Sequence, residues 1–209
     1  YPGGPGVLDI DKQWMQPTIN AQSDETATTQ LRWTAGPGLE TVTISDPADG
    51  YTTPADTVFE AFNLVSINSI PADDEPFSTG WYLQYDVITA VELFNADTGA
   101  WEAVSEPDGG WIQNGAFAGY DLSPEEQTST TGVRLQLVEN EQARVAAHQE
   151  GDAFDPFAPQ PGSGVGHGST ERVFEMTWQV RDQTRPAGQW VTDELLYNTA
   201  DAGVVNNTT

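Results

Sequence analysis

The sequence predicts an all-β protein that folds as a β-sandwich. Short alternating or continuous apolar runs recur along the 209 residues, and clusters of Gly, Pro, Asp and Asn separate them. Seven Trp, eight Phe and six Tyr supply apolar surface for a substantial core, despite a formal net charge of −25. A single short segment has a helical signature. Together these observations favour one large β domain over a helical or disordered chain.

Strands are predicted in order along the chain after a Gly/Pro linker at residues 1–6. The clearest alternation is in RVFEMTWQVRD, where Phe174, Met176, Trp178 and Val180 share one face. The predicted strands are residues 7–15, 28–34, 39–45, 57–70, 81–94, 100–104, 132–138, 172–181, 190–198 and 203–209.

Two local signals add a hairpin and a helical turn. In FNADTGAWEAV, the tripeptide at 97–99 forms the turn of a hairpin, and its glycine accepts the positive φ that such turns need. In LSPEEQ, Ser123 is placed to cap a short helix and Pro124 suits the first helical position. Glu126 completes a capping box with Ser123.

The domain organisation leaves one alternative open. We predict a single elaborated domain over residues 7–209, in which residues 53–140 are an insertion or a second β subdomain. The segment 150–170 is long and rich in Gly and Pro, so we expect a surface loop that is functional or mobile. The sequence starts without Met, and we expect it to be a piece of a longer protein.

The charge balance restricts the partners of the chain, because 32 acidic residues stand against seven basic ones. Nucleic acid and anionic membrane surfaces would be repelled, whereas cations and basic surfaces would be attracted. The chain has no Cys, which excludes disulfides and thiolate chemistry, and no apolar run approaches the length of a membrane span. We therefore expect no nucleic-acid partner and no membrane insertion in this segment.

The sequence offers no convergent catalytic constellation. His148 and His167 lie in polar or Gly-rich surroundings, and no nucleophile motif accompanies them. The acidic residues at 73–75, Asp152 and Asp155 carry the hard oxygens that Ca²⁺ prefers, but their spacing matches no EF-hand loop, so solvated loop charge is favoured. We predict no enzyme and no cofactor, with Ca²⁺ binding left open.

Three tryptophans in aromatic-rich stretches suggest an alternative function. Trp81, Trp101 and Trp111 lie in GWYLQY and GAWEAVSEPDGGW, among acidic and polar residues. Such side chains can stack on sugar rings, although they are more often core or rim residues. The alternative prediction is a β-sandwich that binds a glycan, or a partner in a Ca²⁺-dependent manner.

The only lysine of the chain, Lys12, falls on the apolar face of the first predicted strand. In VLDIDKQW, it shares that face with Leu8, Ile10 and Trp14. An inward acid is available from TVTISDP, where Asp46 lies on the apolar face of another strand. Asparagines near the end of the sequence are further candidate neighbours, and these are Asn198, Asn206 and Asn207.

These motifs resemble the repeat domains of surface proteins from Gram-positive bacteria. The early strand with its Lys, the TVTISDP strand and the GVVNNT segment are similar to DUF11-type repeats, and in plan to Cna-type adhesin and pilin domains. WQVRD and STTGVRLQL resemble large-insert versions from actinobacterial surface proteins. The resemblance covers about residues 7–50 and 170–209. It implies an Ig-like β-sandwich with a large β-rich insertion.

The resemblance also implies an intramolecular isopeptide bond between Lys12 and Asn207, with Asn198 and Asn206 as alternatives. Burial disfavours the charged ammonium and leaves a nucleophilic amine, while burial raises the pKa of Asp46. A protonated Asp46 could polarise the asparagine carboxamide and shuttle protons in a reaction that occurs once. The other interpretations are that Lys12 snorkels from a strand edge, or forms an ordinary salt bridge with Asp46.

The implied role is a structural or adhesive module of a secreted, extracellular protein that is anchored to the cell wall through a region outside this segment. The expected partners are neighbouring repeats of the same chain, and a glycan or protein of the host or cell surface.

Overall fold

The computed structural model describes residues 8–16, 18–47, 53–69, 81–166, 172–193 and 195–196, with only the backbone described at 81 and 82. The strands are β1 (Leu8–Trp14), β2 (Thr26–Ala35), β3 (Thr41–Asp46), β4 (Phe62–Asn68), β5 (Asp86–Asn95), β6 (Ala100–Ala103), β7 (Ile112–Gln113), β8 (Ala116–Phe117), β9 (Tyr120–Asp121), β10 (Thr130–Glu139) and β11 (Arg172–Val180). The helices are α1 (Val58–Ala61), α2 (Pro124–Ser129) and α3 (Glu141–Ala147), with a 3₁₀ helix at Trp81–Tyr85.

The strands form two antiparallel sheets that enclose one main core, which confirms the predicted all-β sandwich. The first sheet has the order β1-β2-β11-β4-β9, and the second has the order β3-β10-β5-β6. The short strands β7 and β8 form a separate ribbon. Among the described strands, β1 and β3 lie at the edges of different sheets, so residues 8–14 and 41–46 are at the edges of this part of the sandwich.

Alternating burial explains how these strands meet in the core. Along β11, the predicted inward face is confirmed, because Phe174, Met176 and Trp178 are buried. The Phe174 ring stacks on Trp33 of β2 at a centroid distance of 6.4 Å and meets Phe117 edge-on at 5.7 Å. Aromatic pairs of this kind add stability beyond their buried area. Aromatic contacts therefore join β2, β8 and β11 within the core.

The hairpin and the capped helix are confirmed as predicted. Strands β5 and β6 pair across the 97–99 turn, where Gly99 has a φ of +69°. In α2, the Ser123 side chain accepts a hydrogen bond from the Glu126 backbone N–H, and the Glu126 carboxylate accepts one from the Ser123 N–H. Pro124 occupies the first turn.

Three strand predictions, at 57–70, 81–94 and 190–198, include residues that are helical in the structure. The strand predicted at 57–70 spans both α1 and β4. The Thr57 side chain caps α1 by accepting a hydrogen bond from the Phe59 N–H. The prediction at 81–94 included the 3₁₀ helix that precedes β5. At 190–198 the strand prediction is wrong over the described residues, because the Leu196 N–H bonds back to the Thr192 carbonyl at 3.0 Å. The last predicted strand, 203–209, lies outside the described residues.

The segment 53–140 contributes strands to both sheets. From this segment, β4 lies between β11 and β9 in the first sheet, and β10 lies between β3 and β5 in the second. Most of its buried apolar side chains belong to the main core along with those of β2, β3 and β11. These strands are thus hydrogen-bonded to strands from outside the segment.

A buried ionic cluster fixes the long loop that follows α3. Asp86, the first residue of β5, accepts hydrogen bonds from Arg144 of α3 and Arg172 of β11, each at 2.9 Å. The Gly166 N–H also donates to Asp86 at 3.0 Å, and Arg144 lies 3.1 Å from Glu139. These bonds hold the loop against the second sheet. Removing one member of the cluster would leave an uncompensated charge in the interior.

Helix α3 was not predicted, although Asn140 caps it through a bond from the Ala143 N–H. In the part of the chain that the structure describes, no helix has the length and apolarity needed to cross a membrane.

Candidate functional site

The candidate site begins with Lys12, whose side chain lies inside the sandwich. Strand β1 pairs with β2 along its whole length, with Lys12 opposite Leu31. The alternation of β1 turns Lys12 toward the second sheet, and its side chain is only 6 % exposed. The predicted inward direction of the lysine is confirmed.

Asp46 approaches the same point from the opposite sheet. It is the last residue of β3, follows buried Val42 and Ile44 on the inward face, and its side chain is 0 % exposed. The Lys12 Nζ atom lies 2.6 Å from Asp46 Oδ2. The pair therefore joins β1 of one sheet to β3 of the other, and the residues that the sequence suggested as neighbours are in contact.

Aromatic rings form the walls around the lysine. The Nζ atom lies 5.3 Å from the ring centroid of Trp178 on β11 and 5.9 Å from that of Trp14 on β1. Trp178 is fixed by a 2.8 Å hydrogen bond from its Nε1 to Thr29 Oγ1, and Trp14 packs on Phe62 at 5.1 Å. These rings exclude water, which strengthens the electrostatic interactions between the remaining polar groups.

The surroundings favour the protonated form of Asp46. Burial raises the pKa of this carboxyl above its ordinary value, and the opposing attraction and hydrogen bond of Lys12 do not cancel that effect. The other carboxylate oxygen, Oδ1, is buried and has no hydrogen-bond partner among the described residues. A buried oxygen without a partner is costly, so a polar group brought to this point would stabilise the site.

This arrangement places the lysine amine beside a buried carboxyl whose pKa is raised, in a pocket walled by aromatic rings. When such a carboxyl is protonated, it can donate a hydrogen bond to a carbonyl oxygen. Ordinary salt-bridge chemistry needs neither the burial of both groups nor the unpartnered Oδ1. The geometry thus fits amide-bond chemistry at Lys12 Nζ.

Comparisons with known proteins do not add to this picture. No family model, curated protein or solved structure matches the chain.

The candidate asparagine partners of Lys12 lie outside the described residues, since Asn198, Asn206 and Asn207 all follow the last described residue, Leu196. The chain before them contacts the connection between β1 and β2. The Asp193 carboxylate accepts a hydrogen bond of 2.9 Å from the Ala21 N–H in that connection, and Leu196 is buried in the main core.

The three tryptophans of the alternative prediction have different environments. Trp111 is 3 % exposed and stacks on Phe117, so it has little free ring face for a sugar. Trp101 is partly buried on β6, beneath the Arg134 guanidinium at 4.3 Å and beside Phe94. The side chain of Trp81 is not among those described. Glycan binding by these residues stays a prediction.

Metal and histidine chemistry gain no support from the described residues. Within them, no group of three His, Asp or Glu side chains is placed to hold a metal ion. Asp155 accepts bonds from the Tyr85 hydroxyl and the Phe157 N–H, while His148 Nε2 lies 3.2 Å from the Pro159 carbonyl. The acidic run at 73–75 and His167 lie outside the described residues, and Ca²⁺ binding stays open.

The tryptophan walls were missed when the site was predicted from the sequence. Trp14 lies two residues after Lys12 on the same face of β1, and Trp178 was already placed on the inward face of β11. The alternation along β1 and β11 was the sequence signal that indicated an inward direction for both tryptophans. These patterns do not give the order of the strands, which brings the Trp178 ring within 5.3 Å of the lysine Nζ.

Proposed function

We propose that this chain is a structural or adhesive module of a bacterial surface protein, stabilised by an isopeptide bond that Lys12 forms with an asparagine near the end of the chain. The observation that supports the proposal best is the buried Lys12–Asp46 pair between two edge strands, with Asp46 Oδ1 unpartnered among the described residues. The absence of Cys leaves the chain without disulfides as an alternative covalent brace.

The proposed reaction uses only groups of the chain itself. Neutral Lys12 Nζ attacks the side-chain carbonyl carbon of the asparagine, while protonated Asp46 donates a hydrogen bond to the carbonyl oxygen. The Nζ–Cγ bond forms, the Cγ–Nδ2 bond breaks, and Asp46 relays a proton from Nζ to the departing nitrogen. One ammonia leaves, no oxidant or cofactor is consumed, and the reaction happens once per chain.

The three asparagines lie at different distances along the chain from the last described residue. Asn198 follows Leu196 by two residues, whereas Asn206 and Asn207 follow it by ten and eleven. An extended segment covers about 3.3 Å per residue, so the later pair lies within roughly 35 Å of Leu196. Asn207 is the first candidate because of its place in the GVVNNT motif.

The bond would stabilise the module considerably. Closing a loop that spans nearly the whole domain contributes about 5 kcal/mol in the chain-entropy model. That value is comparable with the net stability of an ordinary domain. A surface protein exposed to mechanical force, and lacking disulfides, gains both thermal and mechanical resistance from such a tie.

Intact-mass measurement of the denatured chain tests the proposal. The wild-type chain should be lighter than its sequence by one ammonia, and Lys12→Met should have the full mass because it has no amine. Asp46→Asn should also have the full mass or react far more slowly, since it cannot relay the proton. Peptide mapping then identifies the partner as Asn198, Asn206 or Asn207.

Lys12→Met must be shown to fold, by its near-ultraviolet circular dichroism, before its mass is interpreted. A wild-type chain with the unmodified mass would contradict the isopeptide bond and leave Lys12 and Asp46 as a buried salt bridge.

A further inference from the structure

A groove lies between α3 and the loop that follows it, far along the chain from Lys12. Its floor is made by Ala143, Ala146 and Ala147 of α3 together with Tyr85, and its wall includes Phe154 and Phe157. The groove has a volume of about 480 Å³, which is within the range of pockets that hold a ligand or a side chain. Tyr85 and Ala147 also form a small apolar cluster separate from the main core.

Two large apolar side chains are exposed at this groove. Phe154 is 54 % exposed and Phe157 is 59 % exposed, only three residues apart in the loop. The phenylalanine side chain is apolar, so leaving two phenylalanine rings exposed to water at the rim of a groove is unfavourable in free energy. Adjacent exposed apolar residues of this kind are typical of interaction surfaces.

The backbone around these phenylalanines is tied down at closely spaced points. Asp155 lies between them, and its carboxylate accepts bonds from the Tyr85 hydroxyl at 2.6 Å and the Phe157 N–H at 2.9 Å. Its own N–H donates to the Ala147 carbonyl at 2.8 Å. Further along, the Glu139 carboxylate accepts bonds from the N–H groups of Gly162 and Gly164. The loop is therefore preorganised, which reduces the entropy lost when a partner binds.

The charge around the groove is negative. Asp152 lines it and is exposed, and Glu141 and Glu150 are exposed at nearby positions in the chain. None of the seven basic side chains, all of which the structure describes, lines the groove. Arg144 belongs to α3 but is buried in its ion pair with Asp86. An apolar groove with an acidic surround is complementary to a partner that is both apolar and basic.

We propose that this groove docks a basic, apolar segment of a partner protein. An aliphatic or aromatic side chain of the partner enters the space between Phe154, Phe157 and the alanine floor, while adjacent Arg or Lys side chains face Asp152 and the neighbouring acids. A second copy of this chain is a poor occupant, because two surfaces of strongly negative charge repel each other. The site uses no residue of the Lys12 pocket, so it stands independently of the isopeptide bond.

Fluorescence polarisation with a synthetic probe tests the docking. The probe is a fluorescein-labelled nine-residue peptide in which Arg alternates with Leu. Binding to the full chain should weaken about tenfold in the double variant Phe154→Ala/Phe157→Ala, as expected when the apolar anchors of an interface are removed. Trp190→Ala is the matched control, because Trp190 is 63 % exposed and does not line the groove. It should change the affinity by less than about twofold.

Two control peptides separate the apolar and the electrostatic contributions. Replacing Arg by Glu should abolish binding, and replacing Leu by Ser should weaken it to the level of the double variant. Added salt should weaken the wild-type interaction, since charge attraction between exposed groups is screened.

The proposal is overturned if the wild-type chain does not bind the Arg/Leu peptide, or if the double variant binds it as tightly as the wild type. A dimer in sedimentation that the double variant abolishes would assign the groove to a second copy. A glycan-array signal lost in the same variant would assign it to a sugar. Either of these outcomes also contradicts a basic peptide partner.

Discussion

Asp46 is the residue on which the chemistry of the Lys12 pocket depends. Burial raises its pKa, while Lys12 acts in the opposite direction through charge and a hydrogen bond. The net effect favours the protonated carboxyl relative to an exposed aspartate, and a protonated Asp46 is what the proposed amide formation needs.

The pH dependence of stability should report this raised pKa. In Lys12→Met, which cannot react and lacks the opposing charge, the folded protein binds a proton at Asp46 more tightly than the unfolded chain does. The stabilisation is fully present below the ordinary aspartate pKa of about 3.9 and is lost as the pH rises through the higher folded value. The free energy of unfolding should fall by up to about 1.4 kcal/mol per pH unit in this interval.

Urea denaturation at several pH values measures that slope, and the double variant Lys12→Met/Asp46→Asn provides the control. Both variants share every other acidic residue, so subtracting one curve from the other isolates Asp46. Identical curves for the two variants would show that Asp46 does not titrate above its ordinary range.

The sequence was sufficient to predict that Lys12 and Asp46 both point inward, because side-chain direction in a strand follows from alternation alone. Their contact required more, since it depends on β1 and β3 being edge strands on the same side of two different sheets. The sequence contained no local signal for that order. The unpartnered Oδ1 and the Trp178 wall are likewise properties of the assembled sandwich.

At the scale of elements, Gly166 determines how closely the long loop approaches the first sheet. Its φ of +64° and its position against the Trp33 ring leave no room for a side chain. Gly166→Ala should therefore destabilise the protein by about 3 kcal/mol or more, through backbone strain combined with overlap of Cβ and the ring. Chemical denaturation measures the change in the free energy of unfolding.

The variant Gly99→Ala separates the cost of backbone strain from the cost of overlap with the Trp33 ring. Gly99 has a similar φ of +69°, but a Cβ added at that turn would meet no atom within 4 Å. Its replacement should cost only the strain of about 1–2 kcal/mol. Equal losses for the two variants would mean that the loop moves away from Trp33 without cost.

Period-two alternation was enough to predict most strands, whereas helices α1 and α3 were not predicted. Helices α1 and α3 have four and seven residues, which is too short for an apolar stripe to repeat. The apolar residues of α1 run directly into β4, so the two elements resemble one long strand in the sequence. In contrast, α2 was predicted because its cap is encoded locally by Ser123, Pro124 and Glu126.

At the scale of the whole molecule, the proposed bond determines what happens under force. Lys12 lies near the beginning of the chain and the candidate asparagines lie near its end. A covalent tie between them transmits tension past the residues in between, so the sandwich should not lengthen when its two ends are pulled. Lys12→Met should unfold instead and release about 3.5 Å of chain per residue.

Single-molecule force spectroscopy distinguishes these outcomes when the chain is placed between marker domains of known extension. The markers should unfold in both samples, and the additional long extension should occur only in Lys12→Met. A long extension in the wild type, at any force below rupture of covalent bonds, would contradict the tie.

The way in which the chain buries its few basic residues also affects its resistance to proteases. Each of the seven is buried or partly buried, including Lys12, Arg144, Arg172 and Arg185, whose side chains lie within the fold. Proteases of the trypsin type cut after Lys or Arg and need an extended, accessible segment around the cleaved bond. The native sandwich offers them almost no substrate, so digestion by such enzymes has to wait for the chain to unfold.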